Sequence, residues 1–248
     1  MTEEKRHNKH SQIRNISFVI PIFNEEEILS TSISRLLQSL KDLQVKDFEL
    51  FLVNNGSTDR TPEILRRLEN KYPEIKTLQL PEANFGQAIR LGLEVSRHEF
   101  VVLFNVDWWD MKFLTSAYEL RRSADIIIAS KRLQSSKDQR PLLRRIGTTL
   151  LALTIQIFFS YKGSDTHGLK FMVRNEIIPL LKECRTDEII ETEMLIRAQR
   201  KGLRIKELTC QVREIRPSRM PFLTRSLKVI REVLLLSRFL SPKISSRE

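Results

Sequence analysis

The chain has 248 residues, 41% of them hydrophobic, enough to build one α/β domain with an appendage or two small domains. Its 42 Lys and Arg against 31 Asp and Glu leave a net charge of +11, which favours anionic partners. The two cysteines, Cys184 and Cys210, exclude a disulfide framework and a cysteine-based metal site; the longest apolar run, Thr148–Ser160, is too short for the ~20 residues of a spanning helix.

In chain order, Met1–Arg14 is polar and charged, reading as a disordered lead-in and as neither signal peptide nor anchor. Ile16–Ile20 is a buried strand that stops at Pro21 and delivers Asn24 to a helix start. There Asn24 and Glu25–Glu27 supply a cap and an acidic first turn, and Leu29, Ile33, Leu36, Leu37 and Leu40 repeat at helical spacing. Phe48–Val53 is a second strand; Thr61-Pro62 opens a second helix, with Thr as cap. Ile75–Leu80, Phe100–Phe104 and Asp125–Ala129 are further strands, with a helix over Gly86–Ser96. This alternation predicts a mostly parallel sheet with helices on its faces.

Beyond Arg132 the character changes. Leu133–Arg140 reads as a polar loop, Pro141–Tyr161 as a basic-then-apolar helix, Gly168–Val173 as a strand and Glu191–Lys201 as a helix. Leu203–Leu208 and Gln211–Ile215 read as short strands, and Phe222–Leu240 as an amphipathic basic helix. The expected organisation is a lead-in over 1–14, a main α/β unit over 15–216 and a basic amphipathic helix and tail over 217–248. Lys201–Glu248 holds 12 basic against 4 acidic residues, so the two amphipathic helices suit an anionic membrane surface. Burial against the rest of the chain, or against a second copy, is the competing reading.

Four apolar strands each break into polar residues at their carboxyl ends: Pro21–Glu25, Asn54–Asp59, Asn84–Ala88 (after the third strand's turn) and Asn105–Asp110. In a parallel sheet those ends share one edge, where nucleotide crevices form. Asn54, Asn55, Ser57 and Asp59 offer donors and acceptors for a base and ribose. Around Gly86, small residues let a helix N-terminus approach an anion. Asn105 and Asp107, two apart after a strand, can meet at one point; Asp107 with phosphate oxygens would suffice for a magnesium ion. The alternative for Asp107 is a cap on the helix that begins near Asp110. Trp108 and Trp109 fit either a sugar or lipid contact or the core.

These segments resemble family 2 glycosyltransferases of the GT-A fold, over Ile16 to about Arg216. The P-x-[FY]-N-E opening stands as Pro21-Ile22-Phe23-Asn24-Glu25, and the D-D-G-S-x-D-x-T motif as Asn54-Asn55-Gly56-Ser57-Thr58-Asp59-Arg60-Thr61. Asn84, Gly86, Ala88 and Gly92 follow; the D-x-D stands as Asn105-Val106-Asp107. Asp165-Thr166-His167-Gly168-Leu169-Lys170 and the acidic helix Glu193–Gly202 complete the pattern. Within the family it is similar to the dolichyl- and polyprenyl-phosphate hexosyltransferases, the branch that includes dolichol-phosphate mannose synthase.

The resemblance implies a Rossmann-like mixed, mostly parallel sheet flanked by helices. It implies transfer of a hexose, with inversion, from a nucleotide-diphosphate sugar of the GDP-mannose or UDP-glucose type to a polyprenyl or dolichyl phosphate. It implies a divalent cation, Mg2+ or Mn2+, on Asp107. Nucleotide-sugar contacts are expected from Pro21, Phe23, Asn24, Glu25, Asn54, Asn55, Asp59, Gly86, Gln87 and Asn105, and phosphate or acceptor contacts from Lys131, Arg132 and Arg216. A sugar hydroxyl would need a carboxylate base, for which Asp165, Glu191 and Glu193 are the candidates, whereas a lipid monophosphate is already nucleophilic. His167 reads as a loop residue. The expected site of action is the cytoplasmic face of a membrane, with peripheral attachment. Where the family has acids, positions 54, 55 and 105 carry Asn, which lowers expected metal affinity. That leaves weaker metal dependence, a changed donor, or a nucleotide-binding relative without turnover. A sugar or glycolipid hydroxyl acceptor is the other open reading. Nucleic acid is not expected, since no aromatic stacking pattern accompanies the charge.

Overall fold

The computed structural model describes residues 12–133, 137–138, 142–212 and 222–240. A seven-stranded sheet runs in the order β3 (Ile75–Leu80), β2 (Lys46–Asn55), β1 (Arg14–Ile22), β4 (Phe100–Leu103), β7 (Lys170–Val173), β5 (Ile126–Ser130), β8 (Ile205–Thr209). Only β7 is antiparallel to its neighbours β4 and β5; the other pairs are parallel. The predicted architecture is therefore the observed one. A two-residue pair, β6 (Lys137–Asp138) with β9 (Gln211–Val212), lies outside this sheet. Its first strand falls within the stretch read as a loop, because the partner lies more than 70 residues further on, beyond any local signal.

Side-chain alternation along each strand sorts two cores. Ile16, Phe18, Ile20, Leu50, Leu52, Val102 and Ile127 join one, beneath α1 (Leu29–Asp42), α2 (Thr61–Lys71) and α4 (Met111–Leu120). Val19, Phe51, Val53, Val101, Ile126 and Ile128 join the other, beneath α3 (Phe85–Val95), α5 (Leu142–Phe159), α6 (Arg174–Glu183), α7 (Ile190–Arg200) and α8 (Phe222–Leu240). The strands read as continuous apolar runs because helices cover both faces. Inside the sheet the buried Glu49 accepts from Ser17 Oγ at 2.7 Å and from Arg97 N at 2.8 Å, tying β1 and β2 to the turn before β4.

Two expected caps are displaced. Ile28, not Asn24, precedes α1, whose start has no side-chain cap. Thr61 lies inside α2 and Asp59 Oδ1 accepts its N–H at 2.9 Å. Asn24 and Thr61 spend their side chains across the strand tips instead. At the amino end, Ile13 is buried and β1 begins at Arg14, two residues ahead of the strand expected from Ile16; residues 1–11 lie outside the described ones.

Gly168, just before β7, packs so closely on the β5 backbone that a Cβ would run into the Ala129 carbonyl oxygen. Gly168→Ala is expected to lower unfolding free energy by about 2 kcal/mol, in the range for overpacking a closed site, with an unchanged urea m-value. Equilibrium urea denaturation checks it.

Candidate active site at the carboxyl edge of the sheet

Because β1, β2 and β4 are parallel and adjacent, their carboxyl ends share one edge. There a cavity of about 180 Å³ is bordered by Pro21, Phe23 and Glu25 after β1, by Asn55 ending β2, by Phe85 opening α3, and by Asn105 and Asp107 after β4. This is below the ~300 Å³ at which ligand pockets usually begin, so it suits one part of a larger ligand. Phe23 is 40% exposed at this edge, a large aromatic left at the surface.

The first two strand tips are laced together. Asn24, in the left-handed region at φ 54°, donates its N–H to Ser57 Oγ at 2.9 Å, and its Oδ1 accepts from Thr58 N at 2.8 Å. Glu25 N–H donates to Thr61 Oγ1 at 2.8 Å and Glu26 N–H to Asp59 Oδ2 at 3.2 Å. The buried Asn54 accepts from Ser57 N and donates to Gln79 Oε1 at 2.6 Å, closing the turn. Of the residues expected at the ligand, Pro21, Phe23, Glu25, Asn55, Asn105 and Asp107 therefore border the cavity, while Asn24, Asn54 and Asp59 brace the loops that form it.

Asn84 holds the third corner. Its Oδ1 caps α3 by accepting from Gln87 N at 2.9 Å, and its Nδ2 donates to Asp187 Oδ2 at 2.9 Å. Its own N–H donates to Asn55 Oδ1 at 2.6 Å. Gly86 is required by the loop before α7, since a Cβ there would lie 2.6 Å from Asp187 Cα. Gln87 contributes its backbone N–H to the cap and leaves its side chain exposed. Asp187 was missed in the sequence; the acidic run Asp187–Glu193 was its only signal, and distance along the chain hid its proximity to Asn84.

After β4, Asn105 and Trp108 exchange backbone bonds of 3.1 and 3.2 Å, a tight turn that brings Asn105 and Asp107 to the same cavity. The cap of α4 is Asp110, which accepts from Lys112 N and Phe113 N, so Asp107 is not spent on the helix. Among the described residues no group of three acidic, histidine or cysteine side chains could hold a metal alone. One carboxylate and one amide oxygen fit a hard cation held mainly by phosphate oxygens.

The remaining candidates are committed inside the protein. Asp165, 1% exposed, accepts from Lys131 N at 3.0 Å and His167 N at 2.9 Å, with Lys131 Nζ at 3.3 Å. Burial alone would raise its pKa, but the Lys131 ammonium and the two N–H donors hold it well below the usual carboxylate range. Lys131 Nζ also donates to His167 O at 2.6 Å and stands 5.2 Å from the Trp108 ring, whose Nε1 donates to Gln211 O. Arg132 donates through Nη1 to Ser164 O at 3.0 Å. Burial, with the Lys131 and Lys170 cations nearby, pushes the half-buried His167 down to about 4, despite opposing pulls from Glu191 and Asp165. Glu191 pairs with the buried Lys170. Glu193, wholly buried, accepts from Arg185 N, Thr186 N, Thr186 Oγ1 and Arg197, and does not border the cavity. Arg216 lies outside the described residues.

A larger hollow of about 360 Å³ lies at the opposite sheet edge, among Arg14, Arg121, Arg122 and Arg204. It takes none of the strand-end residues; Arg204 is paired there with Asp125 at 2.6 Å.

The sequence pattern of a family described as Glycosyl transferase family 2 matches residues 17–178. A dolichyl-phosphate beta-glucosyltransferase of Trichomonas vaginalis is 28% identical over 218 residues, covering 83% of this chain and 68% of that protein. An undecaprenyl-phosphate 4-deoxy-4-formamido-L-arabinose transferase of Photorhabdus laumondii is 35% identical over 98 residues, 39% of this chain and 30% of that one. Among solved structures, glucosyl-3-phosphoglycerate synthase from Mycobacterium tuberculosis, in complex with Mn2+, UDP-glucose and phosphoglyceric acid, superposes with a TM-score of 0.66. It is 18% identical, and the match covers 93% of this chain and 82% of that one, which shows a shared fold.

His167 binds a proton less readily folded than unfolded, so between pH ~6.5 and about 4 the unfolded chain holds more protons and stability falls as pH falls. Asp165 adds stability that is complete above its unfolded value of ~3.9 and is lost as pH drops below it. Urea midpoints measured from pH 7 to 4 are expected to decline, and His167→Gln to flatten that decline. Asp165→Asn, which removes the carboxylate facing the buried Lys131 ammonium, is expected to cost about 3–5 kcal/mol at pH 7 by the same measurement.

Proposed function

The chain belongs to glycosyl transferase family 2, and we propose that it moves a hexose from a nucleotide-diphosphate sugar to a polyprenyl phosphate at a membrane surface. The observation that carries the reading is the convergence of Phe23, Glu25, Asn55, Asn105 and Asp107 from three parallel strand tips onto one cavity. Similarity to lipid-phosphate sugar transferases over most of the chain supports the acceptor class.

In this mechanism an acceptor phosphate oxygen attacks the anomeric carbon as the bond to the nucleoside diphosphate breaks, inverting the centre. Asp107, with Asn105 beside it, would hold a divalent cation, Mg2+ or Mn2+, which when bound would supply positive charge to the diphosphate leaving group. Arg132, which keeps guanidinium donors beyond its bond to Ser164, meets the acceptor phosphate. Lys131 is committed to Asp165 and His167 and serves to position that loop. The acceptor class also agrees with how the carboxylates are spent. Asp165, Glu191 and Glu193 are all consumed by internal cations and N–H groups, leaving them unsuited to proton abstraction. A lipid monophosphate, with a second pKa near ~6, needs no base. A hydroxyl acceptor would instead turn to Asp187, the carboxylate that meets Asn84 at the start of α3.

The membrane part rests on α5 and α8. Leu142, Ile146, Leu150, Leu153 and Ile157 form an exposed stripe along α5, opposite the buried Ala152, Ile155 and Phe159. Ile230, Leu234 and Phe239 are exposed on α8. α5 carries no acidic residue, and Arg145, Arg231 and Arg238 are exposed beside these stripes. An apolar face with basic flanks suits the headgroup layer of an anionic bilayer. No described helix is long and apolar enough to cross one.

Labelled UDP-glucose and GDP-mannose, offered with polyprenyl phosphate or glycolipid extract, test the acceptor; product on polyprenyl phosphate is expected, and product only on glycolipid overturns it. Asp107→Ala is expected to lower kcat at least 100-fold, and Asp187→Asn less than tenfold; the reverse ranking would favour a hydroxyl acceptor. Co-sedimentation with anionic vesicles is expected to weaken with salt and to fail in Leu150→Glu/Ile157→Glu.

A further inference from the structure

The amide of Asn55 is fixed in one orientation. Its Oδ1 accepts the Asn84 N–H at 2.6 Å, which only the oxygen end of the amide can do. Asn84 cannot shift to release it, because its side chain is tied both to Gln87 N and to Asp187. Asn55 is 7% exposed and borders the cavity, and among the described residues its Nδ2 has no hydrogen-bond partner. The polar atom that this strand tip has left for a ligand is therefore an N–H donor. Phe23 and Phe85 border the same space, a lining of aromatic side chains of the kind that suits a flat heterocycle.

We infer that Asn55 reads a hydrogen-bond acceptor on the donor's nucleobase, a carbonyl oxygen or an unprotonated ring nitrogen. This rests on the nucleotide-sugar reading of the cavity and adds to it which edge of the base is recognised. A carboxylate at position 55, the residue type of the family pattern, would accept the same Asn84 N–H but present only acceptors to the ligand, selecting a base N–H. The Asn thus reverses the polarity of the readout without altering the loop. A site built to hydrogen-bond one group discriminates strongly against a ligand that leaves its polar atom unpaired.

Asn55→Asp is the clean test, since it keeps shape and keeps the acceptor for Asn84. Calorimetric titration of UDP, CDP and GDP with Mg2+ is compared for the wild-type chain and the variant, with Mg2+–pyrophosphate as control and thermal melts to verify folding. The expected result is that the nucleotide preferred by the wild type loses at least tenfold in affinity and the rank order of the three changes, while pyrophosphate affinity moves less than threefold. An unchanged rank order overturns the inference and leaves the transferase reading standing. Equal weakening of pyrophosphate also overturns it, since the effect would then be charge repulsion at the diphosphate. Failure of every nucleotide to bind the wild type overturns both readings.

Discussion

Where β1 leaves the sheet, the backbone N–H groups of Asn24, Glu25 and Glu26 lose their ladder partners, and unpaired buried donors are costly. The loop after β2 supplies the replacements: Ser57 Oγ, Thr61 Oγ1 and Asp59 Oδ2 accept those N–H groups in turn. This lacing turns two independent strand ends into one rigid rim. It aims Phe23 and Glu25 at the cavity while Asn55, one residue before Gly56, is pinned from the other side by Asn84. The third tip, Asn105–Trp108, is closed by its own pair of backbone bonds and is anchored where Ser32 Oγ of α1 donates to Val106 O.

A second set of polar contacts organises the other half of the sheet. Asp165 with Lys131, Glu191 with Lys170, and Glu193 with Arg197 are buried or nearly so. Such pairs contribute little net stability compared with apolar packing, yet breaking one leaves a stranded charge. Their effect is positional. Asp165 holds Lys131 by its backbone and its ammonium, and Lys131 in turn stands over Trp108, the residue after Asp107. The turn that carries the cavity's Asp107 is thereby braced by a residue 58 positions along the chain, from the loop ahead of β7. Glu193 gathers the Arg185–Thr186 loop, placing Asp187 within reach of Asn84.

Much of this was written locally. Apolar runs ending at Pro21, Asn54 and Asn105 marked the strands, and their alternation with amphipathic helices specified a mostly parallel sheet, because both periodicities are short-range properties of the chain. The order of strands was not legible, since a crossover can place the next strand on either side of its predecessor. The same motifs pointed to the carboxyl edge of the sheet, and of their residues Phe23, Glu25, Asn55 and Asp107 border the cavity there. What the residue types left undivided was role. Asn24 and Asn54 carry the same amide as Asn55, Asp59 is a carboxylate of similar size, and nothing in their spacing distinguishes a brace from a ligand contact.

That division belongs to tertiary structure alone. A hydrogen-bonding side chain serves whichever partner is nearest, and for Asn24 it is Thr58, for Asn54 Gln79, for Asp165 Lys131 and for Glu193 Arg197. Three of those partners lie 25 to 34 residues away, beyond any local pattern. Sequence by itself determined the sheet, the edge and the family. Packing across the chain decided which polar groups remain for a ligand, because each donor and acceptor taken internally is one withdrawn from the cavity.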